Sequence, residues 1–534
     1  MSIYRILVAD PISERGIEAL RAEPSFEVEV KVGLDEAGLV EAVAGVHGLI
    51  VRSGVQVTAR VIEAASGLRV IGRAGVGVDN IDIGAATARG VVVMNTPAGN
   101  TISTAEHAFS LMTALARRIP QAHASVAGGR WERGKFKGTE LNGKTLAILG
   151  MGRIGSEVAT RALAFGMRVL AYDPYLTVAR ARSLRVELVE DLDAAVGEAD
   201  FVSLHMPLTE ETHHMISAER LALMKPTARI VNCARGGLVD EAAALAALEC
   251  GRLAGLALDV FEVEPPAADH PLLGRADVVL TPHLGASTAE AQETVGIEIA
   301  QAVGDHLLHG SVVNAVNTPN VDPETLRRVG PYLEFAEVLG KLVAQIAPPH
   351  AEVLRINYSG RLADMDTALV SRGALRGYLS HGCDPDQVNL INCMGVAEKR
   401  GLRFTESRMG EPGQFTDLVE VVAGSGGNQA TIAGSFFGGD PRVVMINGRH
   451  VEAKPHKGRT FLLLENTDRP GMIGLLGTLL GRHGINIASM TLSRDTEGGR
   501  AMTLLSLDSS PPPAVVAELH GTEGISVARV LETS

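Results

Sequence analysis

Three short segments of this chain each carry a residue suited to moving a proton or gripping an anion. Ile230-Val231-Asn232-Cys233-Ala234-Arg235-Gly236-Gly237 supplies Arg235. Leu258-Asp259-Val260-Phe261-Glu262-Val263-Glu264-Pro265-Pro266 supplies Glu264, and Thr281-Pro282-His283-Leu284-Gly285 supplies His283. An apolar run that reads as a strand leads into each segment, and parallel strands present their carboxyl ends to the ligand crevice, so the three side chains can meet there. Together they suit removal of a hydride from a hydroxyl-bearing carbon. The imidazole takes the hydroxyl proton because its pKa lies near neutrality. A carboxylate bonded to the imidazole fixes its tautomer and stabilises the imidazolium. A guanidinium holds a substrate carboxylate through two parallel hydrogen bonds. Each residue alone has an ordinary alternative: one of 16 histidines, a solvated loop acid, a cation at a helix start. His205 ends another strand, His107 sits on a helix and Glu262 stands beside Glu264. The residue types alone leave these rivals open, with packing or support the simpler role for His205 and His107.

Leu146-Ala147-Ile148-Leu149-Gly150-Met151-Gly152-Arg153-Ile154-Gly155 is a strand running through GxGxxG into a helix. Gly150 permits the tight turn, Gly152 lets backbone approach a pyrophosphate, and Gly155 lets helix and strand pack closely. The helix N-terminus favours the negative charge. The next strand ends at Asp173, where a carboxylate accepts hydrogen bonds from ribose hydroxyls and repels a 2′-phosphate. Pro174 and Tyr175 bring no cation, so NAD is the expected cofactor over NADP. Upstream, Arg52-Ser53-Gly54 and Arg73-Ala74-Gly75-Val76-Gly77-Val78-Asp79-Asn80 each follow a strand. Their backbone donors suit a carboxylate, Arg52 suits a phosphate, and Asn100 opens a long helix where it can add a hydrogen bond.

Positioning these residues takes several domains, which 534 residues supply. Strands at Arg5–Ala9, Gly48–Val51, Val70–Gly72 and Val91–Met94 alternate with helical stretches, as in a parallel sheet. A second series has six strands, from Thr145–Leu149 to Val278–Thr281, the number of a complete dinucleotide-binding domain. Ser103 with Glu106, and Ser287 with Glu290, read as capping boxes opening the two long helices. The second helix returns the chain to its first domain. The expected division is 1–98 with 287–317 for substrate, 99–286 for NAD, 318–455 for an intervening unit and 456–534 for a closing βαββαβ unit. Thr318-Pro319-Asn320-Val321-Asp322-Pro323 marks the break before the intervening unit, and Gly424-Ser425-Gly426-Gly427-Asn428 reads as a turn between strands. The net charge of −13 argues against nucleic acid or an anionic membrane as partner. No long apolar run suggests a membrane span. Cys233, Cys250, Cys383 and Cys393 lack CxxC spacing, as in a reducing, cytoplasmic protein with no metal site.

Jointly, GxGxxG at Gly150–Gly155, Asn232–Gly237, Asp259–Pro265 and Thr281–Gly285 resemble the D-isomer-specific 2-hydroxyacid dehydrogenase family over residues 1 to about 317. The resemblance implies a Rossmann-type domain inserted in a flavodoxin-like substrate domain, with Arg235, Glu264 and His283 as the catalytic trio. It places Arg153, Ile154, Pro207, Thr212, Cys233, Ala234, Asp259, His283 and Gly285 at the cofactor, and Arg52, Ser53, Gly75, Val76, Gly77, Asn100 and Arg235 at the substrate. Gly129-Arg130-Trp131-Glu132-Arg133, Lys135-Phe136 and Gly138–Lys144 are closer still to the D-3-phosphoglycerate dehydrogenase branch. That branch implies 3-phosphoglycerate as substrate, a homodimer or homotetramer, and a basic residue of this loop reaching the neighbouring subunit. Gly54 departs from relatives that carry a further cation there. Other hydroxyacid enzymes of the glyoxylate or lactate type, and non-enzymatic NAD-sensing corepressors, generally lack the 217 residues after Asn317. The last 75 or so residues resemble an ACT domain, implying L-serine as effector between paired modules, with Asp468 at its ammonium group and Asn486 reaching in from the neighbour. The cluster Arg449, Lys454, His456, Lys457 and Arg459 reads first as a solvated hinge and second as a phosphate site.

Overall fold

A computed structural model describes residues 3–321, 323–382, 387–409, 415, 417–455 and 458–533. Cys383, Asp322, His456 and Lys457 of the sequence reading lie outside them. The first sheet has five parallel strands, Tyr4–Val8, Phe26–Val30, Gly48–Val51, Val70–Arg73 and Val92–Asn95, in the flavodoxin-like order 2-1-3-4-5. The helix Ala289–His309 does return to this sheet, setting Val295, Ile299 and Val303 against Ile6, Val8, Ile50, Val70 and Met94. The glutamates of Phe26–Val30 hid that edge strand in the sequence, for it is buried on neither face.

The second sheet holds seven parallel strands, Thr145–Leu149, Arg168–Tyr172, Glu187–Leu188, Phe201–Leu204, Arg229–Asn232, Gly255–Leu258 and Val278–Leu280. Their order is 3-2-1-4-5-6-7, the dinucleotide-binding arrangement with one strand added. Glu187–Leu188 was not expected, being two residues at the edge. Neither capping box forms. Asn100, not Ser103, is the N-cap of Thr101–Arg117, and the Ser103 hydroxyl donates back to the Asn100 carbonyl (3.1 Å). Glu106 instead meets Arg161. Thr288, not Ser287, caps Ala289–His309, accepting from the Ala291 N–H (3.2 Å).

Beyond the two parallel sheets, a six-stranded sheet runs from Val353–Gly360 to Arg449–Ala453 in order 2-1-3-4-5-6, and its strands Asp417–Ser425 and Asn428–Phe437 flank the expected glycine turn. The last unit is βαββαβ, with antiparallel strands in order 2-3-1-4. Along its strand Thr460–Thr467, side chains alternate between faces. Leu462 and Leu464 meet the unit's own helices through Leu476, Leu480 and Leu519. Phe461 and Leu463, with Met502, Leu504 and Leu531, share one core with Phe335, Leu339 and Val343 of helix Pro323–Ile346. The two tail units are therefore bonded through a common interior. Removing residues 458–534 alone is expected to uncover the part of this core that Phe461, Leu463, Met502, Leu504 and Leu531 complete, beside the helix end where Gln345 donates to the Glu532 carbonyl (2.8 Å), at about 1.5–3 kcal/mol for each large side chain left exposed. Calorimetry and soluble yield should show that truncation aggregating or melting early, while removal of everything after Asn317 leaves a sharp transition. An unchanged tail transition without residues 458–534 would refute the shared core.

Candidate active site

A cleft of about 860 Å³ opens at the carboxyl ends of both parallel sheets. Of the residues singled out in the sequence, Arg52, Ser53, Gly75, Val76, Gly77, Asn100, Ile154, Pro207, Cys233, Ala234, Arg235, Asp259, Glu264, His283 and Gly285 line it. His283 Nδ1 lies 2.8 Å from Glu264 Oε2, and the other Glu264 oxygen accepts the Phe261 N–H (3.1 Å). Burial opposes the charge on Glu264, but the bonds to His283 and Phe261 outweigh it and hold the carboxyl below its usual range. The same bond to Glu264, against burial and with help from Asp259, raises His283 above the ordinary histidine value, while Arg235 pulls the other way. His283 has a left-handed backbone, φ 55°, a conformation that costs a side-chain-bearing residue about 1–2 kcal/mol.

Asp259 holds that conformation. Its carbonyl accepts the His283 N–H (2.8 Å). Its carboxylate, almost wholly buried, accepts the Thr281 hydroxyl (2.6 Å), the Leu284 N–H (2.7 Å) and the Gly285 N–H (2.9 Å). His107 Nε2 adds a contact at 3.1 Å, the supporting role expected of it. His205 is also spoken for, its Nε2 2.8 Å from the Ser203 hydroxyl, and burial pushes it down to about 4. Glu262 turns away from the cleft toward His214 (3.1 Å). Of the rivals left open by residue type, none takes the place of His283 or Glu264.

Opposite stand three guanidinium groups. Arg235 is in contact with Asp79 (3.1 Å), and Arg52 donates to the Pro11 carbonyl (3.3 Å). Arg73, absent from the sequence-based site, is the third wall residue. Its Nε is buried without a partner, and burial, then Arg235, lowers its pKa to about 10. The signal was its place directly after a strand, masked by the glycines behind it. Those glycines have a packing reason: a Cβ on Gly75 would strike the Arg73 guanidinium, and one on Gly77 the Arg235 guanidinium. The Gly75 N–H returns to the Arg73 carbonyl (2.9 Å), so the donors this loop can offer an anion are those of Val76 and Gly77. Gly54 leaves room for Asp10, whose Oδ1 would stand 2.5 Å from a Cβ there, while Asp10 Oδ2 accepts the Arg52 N–H (2.7 Å).

The remaining residues expected at the cofactor gather where the strand Thr145–Leu149 meets the helix Arg153–Ala164. Gly150 turns the chain at φ 97°. A Cβ on Gly155 would strike the Gly150 carbonyl, whereas one on Gly152 would meet nothing within 4 Å, so Gly152 opens onto free space at the helix N-terminus. Asp173 reaches this turn, accepting the Met151 N–H (2.8 Å) through one oxygen and the Tyr175 N–H (2.8 Å) through the other. Each oxygen retains a lone pair for a ribose hydroxyl. Asn100 Oδ1 is buried without a partner beside the cleft. An open glycine, a helix N-terminus and a poised carboxylate fit a dinucleotide. Arg153 extends across to the Pro97 carbonyl (3.1 Å). Thr212 is buried and closes its own loop, accepting the Thr209 N–H (2.7 Å) and donating to the Pro207 carbonyl (2.7 Å), so it shapes the loop that brings Pro207 to the cleft. Burial pushes the Cys233 thiol well above its ordinary value.

In the tail, Asp468 accepts from Arg494 (3.0 Å) and from the Gly498 N–H (3.3 Å), and the N-cap of the adjoining helix is Gly471. Asn486 donates to Asp508 (2.7 Å) at the other end of the strand Ile487–Arg494. Within one chain these residues do not meet. Arg449 pairs with Asp495 (3.2 Å), Lys454 with Asp440 (2.9 Å) and Arg459 with Asp508 (3.5 Å), as suits a hinge. Among the described residues no group of three or more His, Cys, Asp or Glu could hold a metal.

Residues 109–285 match the family described as D-isomer specific 2-hydroxyacid dehydrogenase, NAD binding domain. Residues 328–447 match the D-3-phosphoglycerate dehydrogenase intervening domain, and 460–524 the ACT domain. D-3-phosphoglycerate dehydrogenase of Archaeoglobus fulgidus is 44% identical over 530 residues, covering 99% of this chain and 100% of its own. Among solved structures, the TT0316 protein of Thermus thermophilus is 38% identical with a TM-score of 0.55, covering 58% of this chain and 99% of its own. D-lactate dehydrogenase of Aquifex aeolicus, complexed with NAD and lactic acid, is 29% identical with a TM-score of 0.52, covering 59% of this chain and 100% of its own. With a relative matched end to end and all three family regions in order, this chain belongs to the D-3-phosphoglycerate dehydrogenases, NAD-binding members of the D-2-hydroxyacid dehydrogenase family.

Proposed function

We infer that this chain oxidises D-3-phosphoglycerate to 3-phosphohydroxypyruvate with NAD, the first step of the phosphorylated route to L-serine. The observation that supports it most is one cleft bearing a His283–Glu264 pair and three guanidinium groups. One anionic group needs a single bidentate arginine, and two need more. Arg235 takes the carboxylate beside the reacting carbon, while Arg52 and Arg73 take the phosphate. NAD, when bound, accepts the hydride from C2. With Nδ1 committed to Glu264, His283 takes the hydroxyl proton at Nε2, and Glu264 stabilises the imidazolium that results. Gly150, Gly152, Arg153, Ile154, Gly155 and Asp173 hold the pyrophosphate and ribose. Pro207, Cys233, Ala234 and Gly285 border the nicotinamide, with Asp259 and Thr212 acting through the loops they shape. Ser53, Val76, Gly77 and Asn100 add substrate hydrogen bonds, and Gly75 makes room for Arg73. The chain divides at 1–98 with 287–317 for substrate, 99–286 for NAD, 318–455 for the intervening unit and 456–534 for the ACT unit.

The oxidation rate rises as pH climbs through the His283 pKa, because only neutral imidazole accepts the proton. Glu264→Gln removes the charge that raises that pKa, so the acidic limb of the pH–rate profile moves to lower pH as turnover falls. His283→Ala lowers turnover by about 10² to 10⁴. A limb that stays in place in Glu264→Gln would separate Glu264 from the base.

Arg73→Ala raises KM for 3-phosphoglycerate about 10- to 100-fold, the worth of one charge-assisted contact, and leaves KM for D-lactate little changed. NADH formation with each acid measures both. Equal losses for the two acids would place Arg73 away from the phosphate.

The ACT unit serves L-serine feedback, and its ligand lies between two copies, since Asp468 and Asn486 stand at opposite ends of one strand. The enzyme is a homodimer or homotetramer. Trp131, 79% exposed, stands in the basic loop near exposed Ile119 and Val126, a surface suited to a second subunit. Among the described residues no helix is long and apolar enough to cross a membrane. Cys233, Cys250 and Cys393 are unpaired, in keeping with the cytoplasm. Calorimetry should detect serine binding in the intact enzyme and its loss in Asp468→Ala and Asn486→Ala. Equal binding in both variants would put the effector elsewhere.

A further inference from the structure

The loop that carries Glu264 has a second anchorage on the side away from the cleft. Glu241, the first residue of helix Glu241–Glu249, accepts the Glu262 N–H through Oε1 (2.8 Å). Glu262 answers through its own carboxylate, which accepts the Glu241 N–H (3.2 Å) and meets His214 Nε2 (3.1 Å). The second Glu241 oxygen lies 3.0 Å from His270 Nε2, at the far end of the same loop. Asp240 stands 3.8 Å from His214 Nδ1. Behind this brace, a Cβ on Gly236 would strike the Phe261 carbonyl, so the segment following Arg235 lies flush against the loop. The Glu241 side chain is 11% exposed and that of His270 20%. This is a near-buried carboxylate with both oxygens committed to one loop, a costly arrangement for a residue with no task.

We propose that Glu241 is a positioning residue: with His270 and Glu262 it pins the Phe261–His270 loop so that Glu264 reaches His283. The geometry is reciprocal. Glu241 holds Glu262 by its N–H, Phe261 donates its own N–H to Glu264, and Glu264 meets His283. Fixing two successive backbone N–H groups leaves the Glu264 side chain little room to withdraw. Asp259, two residues before the loop, is itself fixed by the Leu284 and Gly285 N–H groups, so the chain is held both before Phe261 and, by Glu241, at Glu262 and His270. This inference rests on the assignment of His283 as base and Glu264 as its partner. His283 faces Glu264, Asp259 and Arg235, and displacement of Glu264 removes the largest influence that raises its pKa.

The test uses the full chain with ¹³C-labelled histidine and follows the His283 resonance with pH in the free protein, alongside turnover of 3-phosphoglycerate. Glu241→Ala should lower the His283 pKa and move the acidic limb to lower pH, with kcat reduced about 10- to 100-fold, the effect of a misplaced catalytic group. Glu241→Gln, whose amide oxygen still accepts the Glu262 N–H, should recover most of both. His270→Ala, which frees one Glu241 oxygen, should shift the resonance the same way by less and serves if Glu241→Ala does not fold. Glu264→Gln is the control, and adding Glu241→Ala to it should move the resonance no further. If Glu264→Gln shifts His283 while Glu241→Ala and His270→Ala leave it in place, the brace is refuted and the catalytic assignment stands. If Glu264→Gln itself leaves His283 unmoved, both fall.

Discussion

The buried carboxylate of Asp259 is the interaction on which the geometry of the His283–Glu264 pair depends. An unpaired carboxylate in that position would cost several kcal/mol. Here it accepts three hydrogen bonds from the Thr281–Gly285 segment and meets His107 besides, and burial is overcome so that the group stays charged. Those bonds hold the His283 backbone in a left-handed turn it would not adopt alone. The imidazole thereby reaches Glu264, which sits on the loop that begins at Asp259 itself. One residue thus sets the register between two neighbouring strand ends, and the strands Gly255–Leu258 and Val278–Leu280, paired in parallel, supply the rigid base beneath them.

Much of this was legible because the chemistry lies in continuous segments. GxGxxG, Asp173 and the three segments around Arg235, Glu264 and His283 each follow an apolar strand, and the parallel arrangement brings their ends together without further information. Two kinds of feature were hidden. Edge strands such as Phe26–Val30 and Glu187–Leu188 pack on too little to need an apolar face, so no periodicity betrays them. Side-chain contacts across the fold were hidden as well. Ser103 and Ser287 had the right spacing for capping boxes, yet Asn100 and Thr288 stand where the helices begin. Arg73 was passed over as part of a glycine-rich turn, although the glycines are there to admit arginines. The resemblance set Thr212 and Asp259 at the cofactor, and nothing in the sequence showed that each spends its oxygens on shaping a loop.

The tail shows the same division between local pattern and shared interior. The βαββαβ order followed from alternating segments. Its two buried faces did not, because one is completed by helix Pro323–Ile346 from the preceding unit. At the sheet edges the Thr491 hydroxyl donates to the Glu452 carbonyl (2.9 Å), so the intervening and ACT sheets are tied at their rims as well as through their core. A ligand held at the ACT unit therefore acts on a body that includes the intervening unit.

That body touches the first, five-stranded unit through Ile391, packed against its core, and through asparagines. Asn389 donates to the Gly90 carbonyl (3.0 Å) and Asn392 to the Ala88 carbonyl (3.3 Å), while a Cβ on Gly90 would strike the Asn389 side chain. Gly90 ends the helix Ile83–Arg89, next to the strand Val92–Asn95. Asn317 closes on the same strand, donating to the Val91 carbonyl (2.9 Å) and accepting the Val93 N–H (3.0 Å). At the strand's other end Asn95 donates to the Val76 carbonyl (2.5 Å), inside the loop that follows Arg73. Contact of this kind is not in itself coupling. It does set a scale. Two amide hydrogen bonds at the seam are worth about 1–3 kcal/mol together, and allosteric coupling energies commonly fall at about 1–3 kcal/mol. A tail movement that breaks those two bonds thus costs energy of the size regulation involves, at the strand whose far end holds the loop after Arg73.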